Sequence, residues 1–412
     1  MNILFISTNY PYPADSGHHL RTFYTLKYLA QDNSIYYLAF KKKHQDQRDS
    51  DPIREMCKTV DVFITPDDFS RLRMTFSLVK NVVSDYPYVA EKYYSANVER
   101  RIREVLSENR IDVVHLDLLP LTRYLNNFRG IPVALTEHNV ESSRLLSLVR
   151  QNGNIFFKTY MYLQYKKLAT FEKEEMGKCE ICIAVSEKDK EALSKFNPNT
   201  EITVIPNGVD VEYFSPRNRT GAPKSMIWVG GMKDFYNRQA VNYFCGEIFD
   251  KIKKEVQDVK LTLVGKSPTK EVLELAEQNK GVRCIGYVED VRPYINEAMI
   301  FIAPLLSGGG TKLKVLNALA MGKAVVTTSV GAEGIDVTHG ENVIIADHPD
   351  QFAKETVELL KNREKAERIG EKARQLVLEK YDWEKIGKRY SAIYEELVDN
   401  YRRRNRSETK KS

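Results

Sequence analysis

The densest chemistry in this sequence lies in Pro304-Leu305-Leu306-Ser307-Gly308-Gly309-Gly310-Thr311-Lys312-Leu313-Lys314, a run that continues through Val315 to Gly322. An apolar stretch of strand length, Ile300–Ala303, feeds a glycine-rich turn. The helical spacing of Leu313, Leu316 and Ala320 places a helix start near Thr311. Glycines let backbone come close to a ligand, and the first N–H groups of a helix are unpaired and partly positive. The combination predicts an anion site whose natural occupant is a phosphate, with Lys312 and Lys314 adding full charges. A flexible loop capped by Thr311 is the plainer alternative.

Two further constellations follow apolar runs. Asn9 to His19 joins the first strand to the first helix, with Gly17 at the helix start. The adjacent imidazoles of His18 and His19 could bond phosphate oxygens, charged or neutral; the alternative is a polar loop with a helix cap. Glu137-His138-Asn139 comes directly after Val133–Leu135, at the carboxyl end of a strand, where open α/β sheets take their ligands. Of the seven histidines His138 is the best placed and His115 a weaker candidate, while Glu137 and Glu141 could position a hydroxyl. Cys179-Glu180-Ile181-Cys182 has redox or half-zinc spacing but no second pair, so buried thiols are expected. Neither Asp234 nor Asp67-Asp68 forms an Asp-X-Asp cluster, and no metal is expected. A G-x-G-x-x-G fingerprint after the first strand is missing, which excludes a nicotinamide enzyme.

The glycine-loop run, Val204-Ile205-Pro206-Asn207-Gly208-Val209-Asp210 and Val325 to Gly334 together resemble family 4 of the retaining glycosyltransferases, in the branch with a GGGTKLK-type loop. The resemblance spans nearly the whole chain through Trp228-Val229-Gly230-Gly231, Leu263-Val264-Gly265, Gly286-Tyr287-Val288 and Tyr381-Asp382-Trp383. It implies the GT-B fold, two doubly wound Rossmann-like domains facing a central cleft. The C-terminal domain would hold a nucleotide-diphosphate sugar, as co-substrate with no further cofactor, and the N-terminal domain a glycan or lipid-linked acceptor.

By the same resemblance Gly309, Gly310, Thr311 and Lys312 line the diphosphate and sugar, Tyr287 and Val288 meet the base, and Gly265 and Lys266 lie close by. Gly17 and His18 reach the donor phosphates or acceptor, and His138 contacts the transferred sugar. The chain departs from the family where two glutamates usually stand eight positions apart, for Gly309 and Asn317 occupy those places. Asn317 can still bond a ribose hydroxyl, without charge assistance. Gly231 and Tyr236 stand where the family has its diphosphate-clamping Arg and Lys, leaving Lys233, Arg238, Lys312 and Lys314 as the available cations. The activity implied is sugar transfer with retention of configuration, in polysaccharide or glycoconjugate biosynthesis. A nucleotide-sugar 2-epimerase, or a non-catalytic partner subunit motivated by Gly309 and Asn317, are the alternatives.

The elements that must position these residues alternate along the chain. Strand-length apolar runs separated by helical stretches, such as the one with Leu20, Phe23, Leu26 and Ala30 on one face, imply parallel sheets covered on both sides. With 412 residues and 42% hydrophobic content, two domains are expected. We place an N-terminal domain at 1–205, joined by a returning helix at 384–400, a C-terminal domain at 206–383 after a linker near 216–223, and a disordered basic tail at 401–412. The net charge of +6 is concentrated in that tail, where six cations from Arg402 to Lys411 face only Glu408, so nucleic-acid binding is not expected. Met1–Ser7 reads as a strand rather than a signal peptide, and no apolar run is long enough to span a bilayer, so a reducing cytoplasm is the expected setting. Aromatics and lysines mix in Ile155–Lys167; with Lys41–Lys43 and the tail they allow a peripheral contact with the inner face of a membrane, against an ordinary packed helix.

Overall fold

The computed structural model describes the chain except residues 15, 44–50, 67–70, 152–154, 218–220 and 410–412. Asp67, Asp68, Lys410 and Lys411 therefore lie outside the described residues. The chain forms two compact units, Met1–Pro206 with Glu384–Ser412, and Asn207–Trp383.

The first unit carries β1 (Asn2–Ser7), α1 (Gly17–Asp32), β2 (Ser34–Lys41), β3 (Thr59–Ile64), α2 (Arg71–Asn81), β4 (Val113–Asp117), β5 (Val133–Glu137), α3 (Glu141–Gln151), α4 (Ile155–Met176), β6 (Ile181–Ala184) and β7 (Ile202–Val204). Its parallel sheet runs β3-β2-β1-β4-β5-β6-β7. Burial on both faces explains why these strands read as continuous apolar runs: Ile3, Leu4, Phe5 and Ile6 are all fully buried. Strand order reverses between β1 and β4, whose register sets Ser7 beside Asp117.

In the second unit, β8 (Ala222–Val229), β9 (Lys260–Val264), β10 (Val282–Gly286), β11 (Ala298–Ala303), α5 (Leu313–Ala320), β12 (Ala324–Thr327) and β13 (Ile344–Ile345) build a parallel sheet of order β10-β9-β8-β11-β12-β13. Its switch point lies between β8 and β11, so the residues just after those strands occupy the usual ligand-binding edge. β8 starts earlier than the linker reading allows, because Ala222 pairs with Ala298 and Gly221 packs so closely that a Cβ would lie 2.1 Å from the Ala298 carbonyl oxygen.

The last helix, α6 (Trp383–Thr409), packs on the first unit. Gly387 abuts Tyr28, where a Cβ would come within 2.2 Å of the tyrosine Cβ. The fully buried Arg21 donates to the Ile205 carbonyl (2.9 Å) and the Tyr390 hydroxyl (2.7 Å). The expected disordered tail from 401 is corrected as far as Thr409, which stays helical. That stretch is free of Gly and Pro, its Arg and Glu residues are good helix formers, and Arg402 pairs with Asp112 at 2.7 Å.

Candidate active site

The second unit gathers one group of residues at the carboxyl edge of its sheet. Gly286-Tyr287-Val288 follow β10, Gly265-Lys266 follow β9, Gly230-Gly231 follow β8, and the glycine loop follows β11. Tyr287 is 69% exposed and Lys266 is exposed, both free to meet a ligand. Gly265 has a different physical reason: a Cβ there would lie 1.7 Å from the Gly230 carbonyl oxygen, so its smallness lets the ends of β8 and β9 close. Gly265→Ala is expected to cost ~1–3 kcal/mol by overpacking, read from urea unfolding; wild-type stability would show that the two strand ends part freely.

Helix α5 begins at Leu313 with Lys312 as its cap residue, within two residues of the start expected near Thr311, and the Thr311 cap of the plainer alternative does not form. The Thr311 hydroxyl is buried and unbonded among the described residues. Gly308 and Gly310 take positive φ (115° and 72°), a conformation that turns their carbonyls onto the Lys312 ammonium, at 3.0 and 2.6 Å. The Glu333 carboxylate lies 3.9 Å from the same ammonium. Gly309 is exposed at the loop tip and Asn317 is half-buried on α5.

Lys314 is the other cation of the loop. Its Nζ bonds the Asn237 side-chain oxygen and lies 4.7 Å from the centroid of the buried Trp228 ring. Burial pushes its pKa down to about 8, against the pull of Asp234. Nζ fills the space that a side chain at Gly230 would need. Lys314 therefore brings a cation beside the end of β8 from α5. Asn237 in turn donates to the Gly231 carbonyl (2.8 Å), and Ser307 donates to Gln239 (2.7 Å), tying the loop to the helix 235–243.

In the first unit His18, Asp117 and His138 meet. The His138 Nε2 lies 2.6 Å from one Asp117 oxygen; the other accepts from the Thr22 hydroxyl at 2.6 Å and lies 3.6 Å from His18 Nε2. The two imidazole rings are 4.4 Å apart. Burial pushes His138 down to about 4, despite Asp117, so the ring is neutral at pH 7. Asp117 stays well below the usual carboxylate range because His138 and His18 outweigh its desolvation. A neutral ring donating from Nε2 to Asp117 carries a lone pair on Nδ1, which makes no hydrogen bond among the described residues. That nitrogen can accept from a substrate hydroxyl.

The three side chains offer ligand atoms within 4.8 Å of one another, so a cation could be held here; the Asp117 oxygens already accept the hydrogen bonds just described. Gly17 opens α1, exposed, and the Ser16 hydroxyl accepts from His19 N. Asp117 was invisible as a site residue in the sequence; its one signal is a carboxylate ending a strand beside β1.

His115 belongs to the core instead. It stacks on Phe5 at 4.0 Å and bonds the Tyr394 hydroxyl, and burial pushes its pKa down to about 3. Cys179 and Cys182 are buried free thiols.

Behind His138, Glu137 is fully buried, and desolvation with Glu172 and Glu141 nearby holds its carboxyl well above the usual range. Glu172 accepts from the Glu141 N–H (3.0 Å) and the Ser142 hydroxyl, fixing the start of α3. Burial raises its pKa to about 7. Folding thus takes up a proton on Glu172 above its ordinary titration range, and the stability it contributes falls as pH rises through about 7. Glu172→Gln is expected to flatten that decline between about pH 4.5 and about pH 7, measured by urea midpoints. An unchanged slope would remove Glu172 as its source.

The family model described as "Glycosyltransferase Family 4" matches residues 53–213, and that described as "Glycosyl transferases group 1" matches residues 223–362. The chain is 26% identical over 408 residues to a 44.6 kDa protein in the cps region of Klebsiella pneumoniae, covering 96% of this chain and 99% of that one. In fold it is similar to sucrose-phosphate synthase from Thermosynechococcus elongatus, with a TM-score of 0.69 at 16% identity over 97% of this chain and 100% of the other. HepE of Anabaena, in complex with UDP and glucose, gives 0.64 at 14% identity over 96% and 100%.

Proposed function

Because the chain belongs to the GT-B glycosyltransferases, of the family 4 and group 1 kind, we propose that it moves a sugar from a nucleotide-diphosphate donor to a hydroxyl of a glycan or lipid-linked acceptor, with retention of configuration. The observation that carries this reading is the loop of Gly308–Gly310 closed by Lys312, with Lys314 half-buried at its foot on the carboxyl edge of the second sheet. The fold-level likeness to a protein held with UDP and glucose, and the relative in a cps region, support the donor class and a role in polysaccharide or glycoconjugate assembly.

The diphosphate takes the α5 N–H groups and the Lys314 charge, which stabilise the negative charge developing on the leaving group. Tyr287 and Val288 receive the base, and Asn317 bonds a ribose hydroxyl. In the first unit His138, its tautomer held by Asp117, accepts through Nδ1 from a sugar hydroxyl. The acceptor oxygen attacks from the face that the diphosphate leaves, and no protein nucleophile is required.

Thermal shift against UDP-glucose, GDP-mannose and the free diphosphates tests the donor assignment. A bound donor at one hundred times its Kd stabilises by about 2.7 kcal/mol. No shift with any nucleotide sugar would sink the reading and favour a non-catalytic partner. Product analysis with donor alone separates transfer from 2-epimerisation, since an epimerase alters the sugar without an acceptor.

A further inference from the structure

Helices α2, α3 and α4 of the first unit line an open-sided cavity of about 580 Å³ that the donor chemistry leaves unexplained. Its wall is hydrocarbon, with Leu78, Val82, Leu145, Leu148, Phe157 and Met161 around it. Of its polar groups, Gln164 is committed to Asn81 and to the Tyr88 N–H. The Tyr160 hydroxyl is buried without a hydrogen-bond partner among the described residues, leaving one donor for a guest. The lining reaches the surface, since Leu148, Val82 and Phe157 are 42%, 46% and 49% exposed. On the same helices and the turn after α2, Phe76, Val83 and Ile155 are more exposed still, a concentration of apolar surface that marks a binding face.

Two observations choose the occupant. The first is charge. The exposed cations Lys80, Arg144, Lys158 and Lys166 lie on these helices, and between Arg71–Asn81, Glu141–Gln151 and 155–167 the acid is Glu141, with Asp85 in the turn after α2. That balance suits an anionic lipid surface. The second is continuity: Glu141 and Arg144 line the cavity, and Glu141 opens α3 three residues after His138, a member of the His18–Asp117–His138 group. No helix among the described residues is long and apolar enough to cross a membrane, so such a face would lie on a bilayer rather than in it.

We propose that this cavity holds the hydrocarbon tail of a lipid-linked acceptor, with the acceptor's polar head directed past Glu141 and Arg144 to His138. The inference deepens the glycosyltransferase reading and rests on it for the identity of the acceptor.

The test is equilibrium binding of dodecyl phosphate and butyl phosphate to the full chain, below micelle formation. The long chain is expected to bind at least ~100-fold more tightly, because the gain from burying apolar surface grows with chain length. Leu145→Trp, which fills the cavity, and Leu148→Glu, at its exposed lip, are each expected to weaken dodecyl phosphate at least ~10-fold and leave butyl phosphate unchanged. Cooperative urea unfolding of both variants reports that they remain folded. Equal affinity for the two chains, or dodecyl binding indifferent to both variants, overturns the proposal. So does binding to phosphatidylglycerol vesicles without a response to dodecyl phosphate, which would assign the face to the bilayer itself. Long-chain selectivity in a protein that binds no nucleotide sugar would leave the cavity standing and defeat the glycosyltransferase reading instead.

Discussion

Replacing Lys312 by alanine is expected to lower turnover at least ~100-fold, equivalent to about 2.7 kcal/mol of lost transition-state stabilisation. The ammonium donates to the Gly308 and Gly310 carbonyls at 3.0 and 2.6 Å, and hydrogen bonds to a charged group contribute ~1.5–3 kcal/mol each. Those two bonds fix the carbonyls of the positive-φ glycines, while Ser307 anchors the start of the loop to Gln239. Without them the α5 N–H groups no longer face a fixed diphosphate, so the loss falls on kcat as well as on donor KM. Lys312→Met keeps the length of the side chain and removes the charge, and it should fail as badly as alanine. Steady-state kinetics with the nucleotide sugar that gives the largest thermal shift check this, and wild-type constants for both variants would remove Lys312 from the site.

Asp117→Ala is expected to destabilise the first unit by ~3 kcal/mol and to reduce activity with it. The carboxylate accepts from Thr22 and His138 at 2.6 Å each, and losing two hydrogen bonds to a buried charge outweighs the desolvation that alanine recovers. The sign with pH follows from the shifts. Asp117 titrates well below its ordinary range in the fold, so its contribution is present at neutral pH and is lost in acid, below the ordinary aspartate range. His138 is depressed to about 4, so the unfolded chain takes up its proton first and stability already declines from about pH 6.5 downward. Urea midpoints across this range should show the lower limb vanish in Asp117→Ala. Asp117→Asn, which keeps one acceptor oxygen for His138, should recover stability more than rate. Equal midpoints for wild type and Asp117→Ala at every pH would show that the network contributes nothing.

The strands were legible in the sequence because burial on both faces demands continuous apolar runs, and Ile3–Ile6 and Ile300–Ile302 meet that demand locally. The glycine loop was legible for a similar reason, since Gly308 and Gly310 serve a turn whose dihedrals involve only near neighbours. The same local reading erred at the tail, where charge suggested disorder, yet Arg402 finds Asp112 some 290 residues away. The helix expected near Thr311 starts two residues on, at Leu313.

What the amino-acid order determined by itself is the alternation of strand and helix, the two parallel sheets and the loop chemistry at their carboxyl ends. Which side chains meet there was decided by the tertiary structure alone. The register of β1 with β4 joins His18 to Asp117, α5 carries Lys314 to Trp228, and α6 draws His115 into the core through Tyr394. Gly265 likewise owes its identity to a backbone 35 positions earlier, at Gly230. Propensity and periodicity act over a few residues, whereas these contacts form only when strands distant in sequence are packed into one sheet.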